Sequence, residues 1–485
     1  MKKIVQLYGF ALLIGILSLI SCQEKKLEEL NKKQPNIIFI LADDLGYGDL
    51  GFLGQEWIET PNIDRIAAEG MFFSNHYTGA TVCAPSRSAL MTGLHTGHTP
   101  IRGNFEIQPE GQYPMPDTLL TLPKLFKQAG YATGAFGKWG LGFIGTTGDP
   151  NNQGFDQFFG YNCQRIAHRY YPEYLWDNHE KVFLEGNDWN QKSTYAPEVI
   201  HKESLKFIED NALNPFFMFV PMVMPHAELA APDGDLLDHY RKKFGQEEEF
   251  KAPDGWDYGD DPINIPGYQS NPYPRASYAA MVALLDRQVG EVLQKLDDLG
   301  LTDNTIIIFA SDNGPHVEGG NNPDFFNSNG IFRGYKRDLY EGGIRTPMIV
   351  KWPGVIQPGS STDHISAFWD FLPTFSEILG HEISKNLDGI SFLPVLKWKS
   401  GQKQHDYLYW EFVELGGRQA IRKGDWKAVR YGVKNNPNAA IEIYNLKNDI
   451  SESNNIAEDY PELLLEFQKL FNEAHIPNPV FKLFE

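Results

Sequence analysis

The chain has 485 residues, 42% of them hydrophobic, and 43 basic against 63 acidic side chains give a formal net charge of −20. That length holds one large or two moderate domains around an ordinary globular core. The acidic excess argues against nucleic acid or anionic membrane as direct partners and repels anionic substrates at long range. A site for such a substrate has to gather its own cations. The only cysteines are Cys22, Cys83 and Cys163, too few for a disulfide framework. No internal repeat, low-complexity segment or zinc-like Cys/His spacing is evident.

Met1-Lys2-Lys3 is a basic start, and Phe10 to Ile20 is a short apolar run that gives way at once to Gln23-Glu24-Lys25-Lys26. This pattern reads as a cleaved export signal rather than a membrane span. Leu19-Ile20-Ser21-Cys22 resembles a bacterial lipoprotein box. The resemblance implies a signal peptide over residues 1–21, lipidation of Cys22 and a charged tether over 22–34. The chain would then be an exported lipoprotein, periplasmic or anchored at the outer membrane or cell surface. An uncleaved signal anchor is the alternative.

Beyond Pro35, strands and helices alternate. Ile37 to Leu41 is apolar and β-branched, reads as a buried parallel strand, and is followed by Asp43-Asp44. Thr81 to Gly93 carries a helix, with Cys83 at its N-terminus, Pro85 in its first turn, Arg87 one turn on and Gly93 at its end. Backbone donors and the helix dipole favour an anion at Cys83, which predicts a lowered thiol pKa and a reactive group. Thr121 to Ala129 reads as a helix. Tyr131 to Phe136 reads as a strand delivering Gly137-Lys138-Trp139-Gly140-Leu141-Gly142.

Cys163 to Pro172 mixes cations, an amide and aromatic rings in a loop. That mixture suits a sugar, with Arg165 and His168 as the substrate contacts. Pro215 to Val220 is another central strand, aiming His226 at the crevice beyond its carboxyl end. Residues 227–275 read as an irregular excursion over the site mouth. Ser277 to Leu299 has helical periodicity, with Asp286 and Arg287 solvated or capping. Thr305 to Ala310 repeats the first strand and ends in Ser311-Asp312-Asn313-Gly314. Two strand ends thus supply oxygen ligands on one side, the donor type of a hard cation, calcium or magnesium. Lys336 sits in a charged loop, and Trp369 to Leu379 reads as a helix. From about Gln404 short strands separated by turns precede a helix over Pro461 to Ala474. The reading is an α/β fold. A large mixed, mostly parallel sheet over 35–400 is sandwiched by helices, with a smaller antiparallel sheet plus helix over 401–485.

Cys83-Ala84-Pro85-Ser86-Arg87 with Thr92-Gly93, Gly137-Lys138-Trp139-Gly140-Leu141-Gly142, Gln153 to Gly160, and Gly334-Tyr335-Lys336 with Tyr340-Glu341-Gly342-Gly343-Ile344-Arg345-Thr346-Pro347 fall in one order along the chain. In that order they resemble the motifs of the type I sulfatases, enzymes with an alkaline-phosphatase-like fold. The resemblance implies that Cys83 is oxidised to formylglycine by a formylglycine-generating maturation enzyme. It implies a cation, usually calcium, held by Asp43, Asp44, Asp312, Asn313 and the modified Cys83. It also implies sulfate contacts from Arg87, Lys138, His226 and Lys336. Water would add to the aldehyde to give a gem-diol, with Asp312 placed to take its proton. His226, assisted by Lys336, would protonate the leaving alcohol, and the second hydroxyl would expel sulfate. Where this chain has Gly140 the family often has a histidine that acts on the hydrate, so that role is left unassigned.

The substrate class that suits an exported chain of this kind is a sulfated carbohydrate. The alternatives are a phosphatase or phosphonate monoester hydrolase of the same superfold, and a catalytically dead glycan-binding lipoprotein. The specific sugar, exo or endo action and the oligomeric state do not follow from the sequence.

Overall fold

The computed structural model describes residues 34–108, 110–188, 191–253 and 267–485. Cys22, the signal segment and most of the tether lie outside the described residues. Ten strands form one sheet. In chain order they are β1 (Asn36–Ala42), β2 (Met71–Phe73), β3 (Ala132–Lys138), β4 (Gln157–Tyr161), β5 (Tyr174–Asp177), β6 (Glu180–Phe183), β7 (Phe216–Pro221), β8 (Thr305–Ser311), β9 (Met348–Lys351) and β10 (Ser360–Thr362). Their spatial order is β10-β2-β9-β8-β1-β7-β3-β4-β5-β6. The five central strands, β8 to β4 in that order, run parallel, and antiparallel pairs flank them.

The central strands are buried on both faces, which is why they are near-continuous apolar runs. Alternate residues point to opposite sides. Ile38 and Ile40 join one core, with the helices Pro61–Glu69, Ala196–Asp210 and Pro274–Asp298. Ile37, Phe39 and Leu41 join the other, with the helices Cys83–Thr92, Leu122–Gln128 and Phe371–Leu379. The C-terminal strands β11 (Leu408–Phe412), β12 (Arg418–Lys423), β13 (Trp426–Tyr431) and β14 (Glu442–Asn445) form a four-stranded antiparallel sheet. The helix Pro461–Glu473 packs on it through Phe467 and Phe471.

One expectation needs correction. The 227–275 excursion contains the helix Asp235–Phe244, whose buried Leu237 and Tyr240 anchor it to the core. Asp286 has the capping role of the two expected for it: it is buried and accepts hydrogen bonds from the backbone N–H groups of Asn62 (3.0 Å) and Ile63 (2.8 Å), capping the helix Pro61–Glu69 from outside. Arg287 is exposed and pairs with Glu198 at 3.4 Å.

Candidate active site

The register of β1 and β8 builds the base of the site. Ala42 lies opposite Ser311, so Asp43 and Asp312 leave the sheet side by side. The Asp312 N–H donates to the Ala42 carbonyl (3.1 Å), and the Asp44 N–H donates to Asp312 Oδ1 (3.1 Å). Asp44 has φ +63°, a left-handed conformation that aspartate tolerates better than most residues. It breaks the strand alternation, so two successive carboxylates reach one cluster. Asp43, Asp44, Asp312 and Asn313 are all fully buried.

Cations arrive from three other elements. Arg87, on the helix Cys83–Thr92, donates to Asp312 Oδ2 from Nε (3.1 Å) and Nη2 (2.9 Å) and to the Lys138 carbonyl, with Asp43 3.3 Å away. Lys138, the last residue of β3, donates to Asp43 Oδ2 at 2.7 Å. Lys336 Nζ lies 2.7 Å from Asp44 Oδ2 and 2.8 Å from His226 Nε2. His226 Nδ1 is bound to the Ala227 carbonyl, which leaves Nε2 as the acceptor. Burial, then Lys336 and Lys138, hold this imidazole well below its ordinary pKa, so it is neutral. Burial disfavours the Lys336 ammonium, but Asp44, together with Cys83, Tyr268 and Asp43, raises the pKa.

Cys83 opens its helix as expected, with Val82 before it and Gly93 (φ +70°) closing the other end. Its Sγ is 3.5 Å from Asp43 Oδ1. The expected lowering of its pKa is overturned. Burial, and then the Asp43 carboxylate, push the thiol up to about 12. The terminal dipole is worth a fraction of that desolvation cost. As a thiol, Cys83 is therefore a poor nucleophile.

The acidic set has the donor chemistry of a cation site. Asn313 spends its amide N–H groups on Asp44 Oδ1 (2.6 Å) and the Gly314 carbonyl (3.0 Å), and its Oδ1 is buried with no hydrogen-bond partner among the described residues. Burial and the Asp43 carboxylate push Asp312 up to about 7, against the pull of Arg87. Burial also works against Asp44, but Lys336, His316 and Lys138 hold it down to about 2. A buried oxygen cluster in which one carboxyl competes for a proton and one amide oxygen is orphaned fits a hard divalent cation. Cys83 Sγ and His226 also have ligand atoms within 4.8 Å of Asp43 and Asp44.

Both proposed sugar contacts lie on a cavity of about 710 Å³ beside this cluster, whose lining includes Glu106, Arg165, His168, Tyr268, Glu318 and Arg337. Arg165 pairs with Glu106 (Nε to Oε2, 3.0 Å) on the cavity wall. His168 reaches further in. Its Nε2 is 3.1 Å from Lys138 Nζ, and its ring stacks on His226 with centroids 3.7 Å apart. Sequence reasoning missed His316, which is buried, stacks on His226 at 5.7 Å and bonds the Pro225 carbonyl at 3.2 Å. Its signal was its position three residues after Asn313. Sequence reading also passed over His95-x-x-His98, which the fold joins to Asp388. There His98 Nδ1 bonds the carboxylate at 2.9 Å and the Gly97 N–H donates to His95 Nδ1 at 3.1 Å.

Comparison with known proteins agrees with this arrangement. The sulfatase family model matches residues 35–381, and a model for the C-terminal part of N-sulphoglucosamine sulphohydrolase matches 330–474. The chain is 30% identical to an N-acetylgalactosamine-6-O-sulfatase of Bacteroides thetaiotaomicron over 98% of this chain and 99% of that protein. It is 28% identical to an N-acetylglucosamine-6-O-sulfatase of the same organism, over 95% and 89%. The crystal structure of Ps i-CgsB, also solved in complex with k-i-k-neocarrahexaose, matches with a TM-score of 0.73 and 28% identity over 91% of this chain and 93% of that one. A cluster that gathers buried cations around strand-end carboxylates, in a chain matched over most of its length, belongs to the sulfatase family: this protein is a sulfuric ester hydrolase.

Proposed function

We propose that the protein hydrolyses sulfate esters of a carbohydrate, with Cys83 converted to formylglycine and calcium held by Asp43, Asp44, Asp312 and Asn313. The observation that carries the reading is the approach of Cys83 Sγ to Asp43 within a buried set of three cations, Arg87, Lys138 and Lys336. A thiol with a pKa near 12 is idle at neutral pH, so the same geometry makes sense for a modified side chain. Relatives named as N-acetylgalactosamine-6-O-sulfatase and N-acetylglucosamine-6-O-sulfatase, and a structural neighbour solved with k-i-k-neocarrahexaose, support a sulfated sugar. The open cavity with its Arg165–Glu106 pair provides polar groups for hydroxyls.

Bound at the strand ends, the cation would neutralise sulfate charge and acidify a hydroxyl at residue 83. The chain's own groups do the rest. Arg87 fixes Asp312 in place through two hydrogen bonds that converge on Oδ2. Lys138 and Lys336 put ammonium groups beside the sulfate position. Lys336 holds the proton reserve for the leaving oxygen: it is the protonated member of its hydrogen bond to the neutral His226 Nε2, which keeps the ammonium in place for that donation. The N-terminal segment fits this role as a lipidated anchor at Cys22, which would place the enzyme outside the cytoplasm, where polymeric glycans are met.

Two measurements test the reading. Peptide mass spectrometry of active enzyme should find residue 83 as an aldehyde; an intact thiol there sinks it. A panel of sulfated mono- and oligosaccharides, run beside an aryl sulfate and an aryl phosphate, should show sulfate release from a hexosamine or galactose ester. Preference for the phosphate would redirect the assignment.

A further inference from the structure

Two cavities meet at Asn104. The larger, of about 710 Å³, is the open cavity beside the cation cluster. The second, of about 440 Å³, has Phe105, Glu414, Lys434, Phe481 and Lys482 on its walls. Each is the size of a small-ligand site, and Asn104 lines both. Asn104 also ties their shared rim to the helix that begins at Cys83. Its Oδ1 accepts from the Ala84 N–H at 3.1 Å, and its own N–H donates to Glu414 Oε1 at 3.0 Å. The path from residue 83 into the second cavity is therefore walled by the large domain on one side and by the C-terminal part of the chain on the other.

The second cavity offers an aromatic ring and positive charge. Phe105 is 51% exposed. Its backbone is fixed, because the Tyr113 N–H donates to the Phe105 carbonyl at 2.8 Å. The rings of Tyr113 and Phe481 brace it at centroid distances of 5.8 and 6.5 Å, the latter at right angles. A braced ring left in water suits the apolar face of a sugar. Lys434 and Lys482 have no ion pair among the described residues. The acid on the same walls, Glu414, already accepts from the Asn104 N–H. In a chain of net charge −20, this is a local surface for an anion.

We propose that the groove over Asn104 binds the sugars that neighbour the one whose ester is cleaved, with Phe105 stacking on a ring and Lys434 and Lys482 pairing with its sulfate or carboxylate groups. The inference rests on the carbohydrate-sulfatase reading above and deepens it: the preferred substrate is a chain of anionic sugars rather than a lone sulfated monosaccharide. Each exposed ion pair is weak by itself. Held on one glycan chain with the sulfate in the first cavity, the second set of contacts forms intramolecularly and adds to the first.

The test uses full-length enzyme at low salt, an aryl sulfate as reporter, and two competitors, N-acetylgalactosamine 6-sulfate and a chondroitin 6-sulfate hexasaccharide. If wild type releases sulfate from none of the three, the shared reading falls and this inference with it. Otherwise the hexasaccharide should compete at about tenfold lower concentration than the monosaccharide, the scale of two exposed ion pairs and a stacked ring. Lys434→Glu/Lys482→Glu should erase most of that advantage. It should leave aryl sulfate turnover and monosaccharide competition unchanged, because neither small molecule reaches the second cavity. In wild type the advantage should also shrink at about 0.5 M salt. Phe105→Ser should weaken the hexasaccharide severalfold at either salt, which separates the ring from the charges. A hexasaccharide that binds wild type no more tightly than the monosaccharide, or whose advantage survives both the double variant and Phe105→Ser, overturns the proposal and leaves the sulfatase reading standing.

Discussion

Lys427 Nζ lies 2.8 Å from Glu341 Oε1, and both side chains are fully buried between the C-terminal sheet and the large domain. Glu341 also accepts from the Tyr77 hydroxyl (2.6 Å) and Arg345 Nη1 (3.1 Å), and Glu452 is 3.0 Å from the same ammonium. Glu341 opens the short helix Glu341–Ile344, five residues after Lys336, so the smaller sheet steadies the Lys336 side of the site. Lys427→Met should cost about 3–5 kcal/mol, the penalty for stranding a buried charge. Glu452→Gln in that background should recover part of the loss, because burial already pushes Glu452 up to about 7. Thermal unfolding checks both; an unchanged melting temperature for Lys427→Met would show that Arg345 alone satisfies Glu341.

Acid should destabilise the fold through His76. Burial, then His364, hold its pKa down at about 3, against 6.5 for the free side chain. Its Nδ1 bonds Ser366 Oγ at 2.9 Å, while Nε2 is buried without a partner among the described residues. Between those pKa values the unfolded state binds more protons, so stability falls as pH drops below 6.5 and is unaffected by this group above it. At pH 4.5 the loss is about 2–3 kcal/mol. His76→Leu should flatten the stability–pH slope between 6.5 and 4.5, even if it lowers stability at pH 8. Parallel slopes for wild type and variant would refute it.

The layout of the fold was readable because its central strands are buried on both faces. Ile37 to Leu41 and Thr305 to Ala310 are unbroken apolar runs, and the residue after such a run falls at a strand end whatever its register. That is why Asp43, Asp44, Asp312 and Asn313 could be named from sequence. The charge state of Cys83 could not be read. A helix N-terminus is a local feature, whereas burial beneath Asp43 comes from a contact 40 residues away. The neighbours of His168 could not be read for the same reason: only β3 ending at Lys138 shows what its Nε2 meets. Helix Asp235–Phe244 was missed because Asp, Gly and Pro around it masked a short amphipathic stretch.

Arg87 should resist conservative replacement. Its guanidinium reaches Asp312 with two nitrogens and the Lys138 carbonyl with a third, so it ties β8 to β3 across the site. A lysine has one point charge and no fork. Arg87→Lys should lower kcat/KM by about 10²–10³-fold, the loss seen when a preorganised group facing developing charge is removed. The fall should appear mainly in kcat, with thermal stability lowered more modestly. A near-normal kcat would mean that Asp312 is positioned by the cation and by Asp44 N–H alone.

Removing the cation should cost both stability and activity, and the two should return together. Asp43, Asp44 and Asp312 are within one buried cluster, where Arg87, Lys138 and Lys336 pair with them. A bound cation would free those side chains for sulfate. A ligand present at 100 times its Kd adds about 2.7 kcal/mol to stability. Exhaustive chelation should lower the melting temperature by several degrees and abolish turnover, and calcium should restore both. Magnesium should restore less, because it dehydrates reluctantly and this pocket is dry. Asn313→Ala, which deletes the orphaned amide oxygen, should shift the calcium titration to higher concentration while keeping the fold. Full turnover in protein shown by elemental analysis to be free of divalent metal would end the proposal of a cation here and return Asp312 to a proton-sharing role.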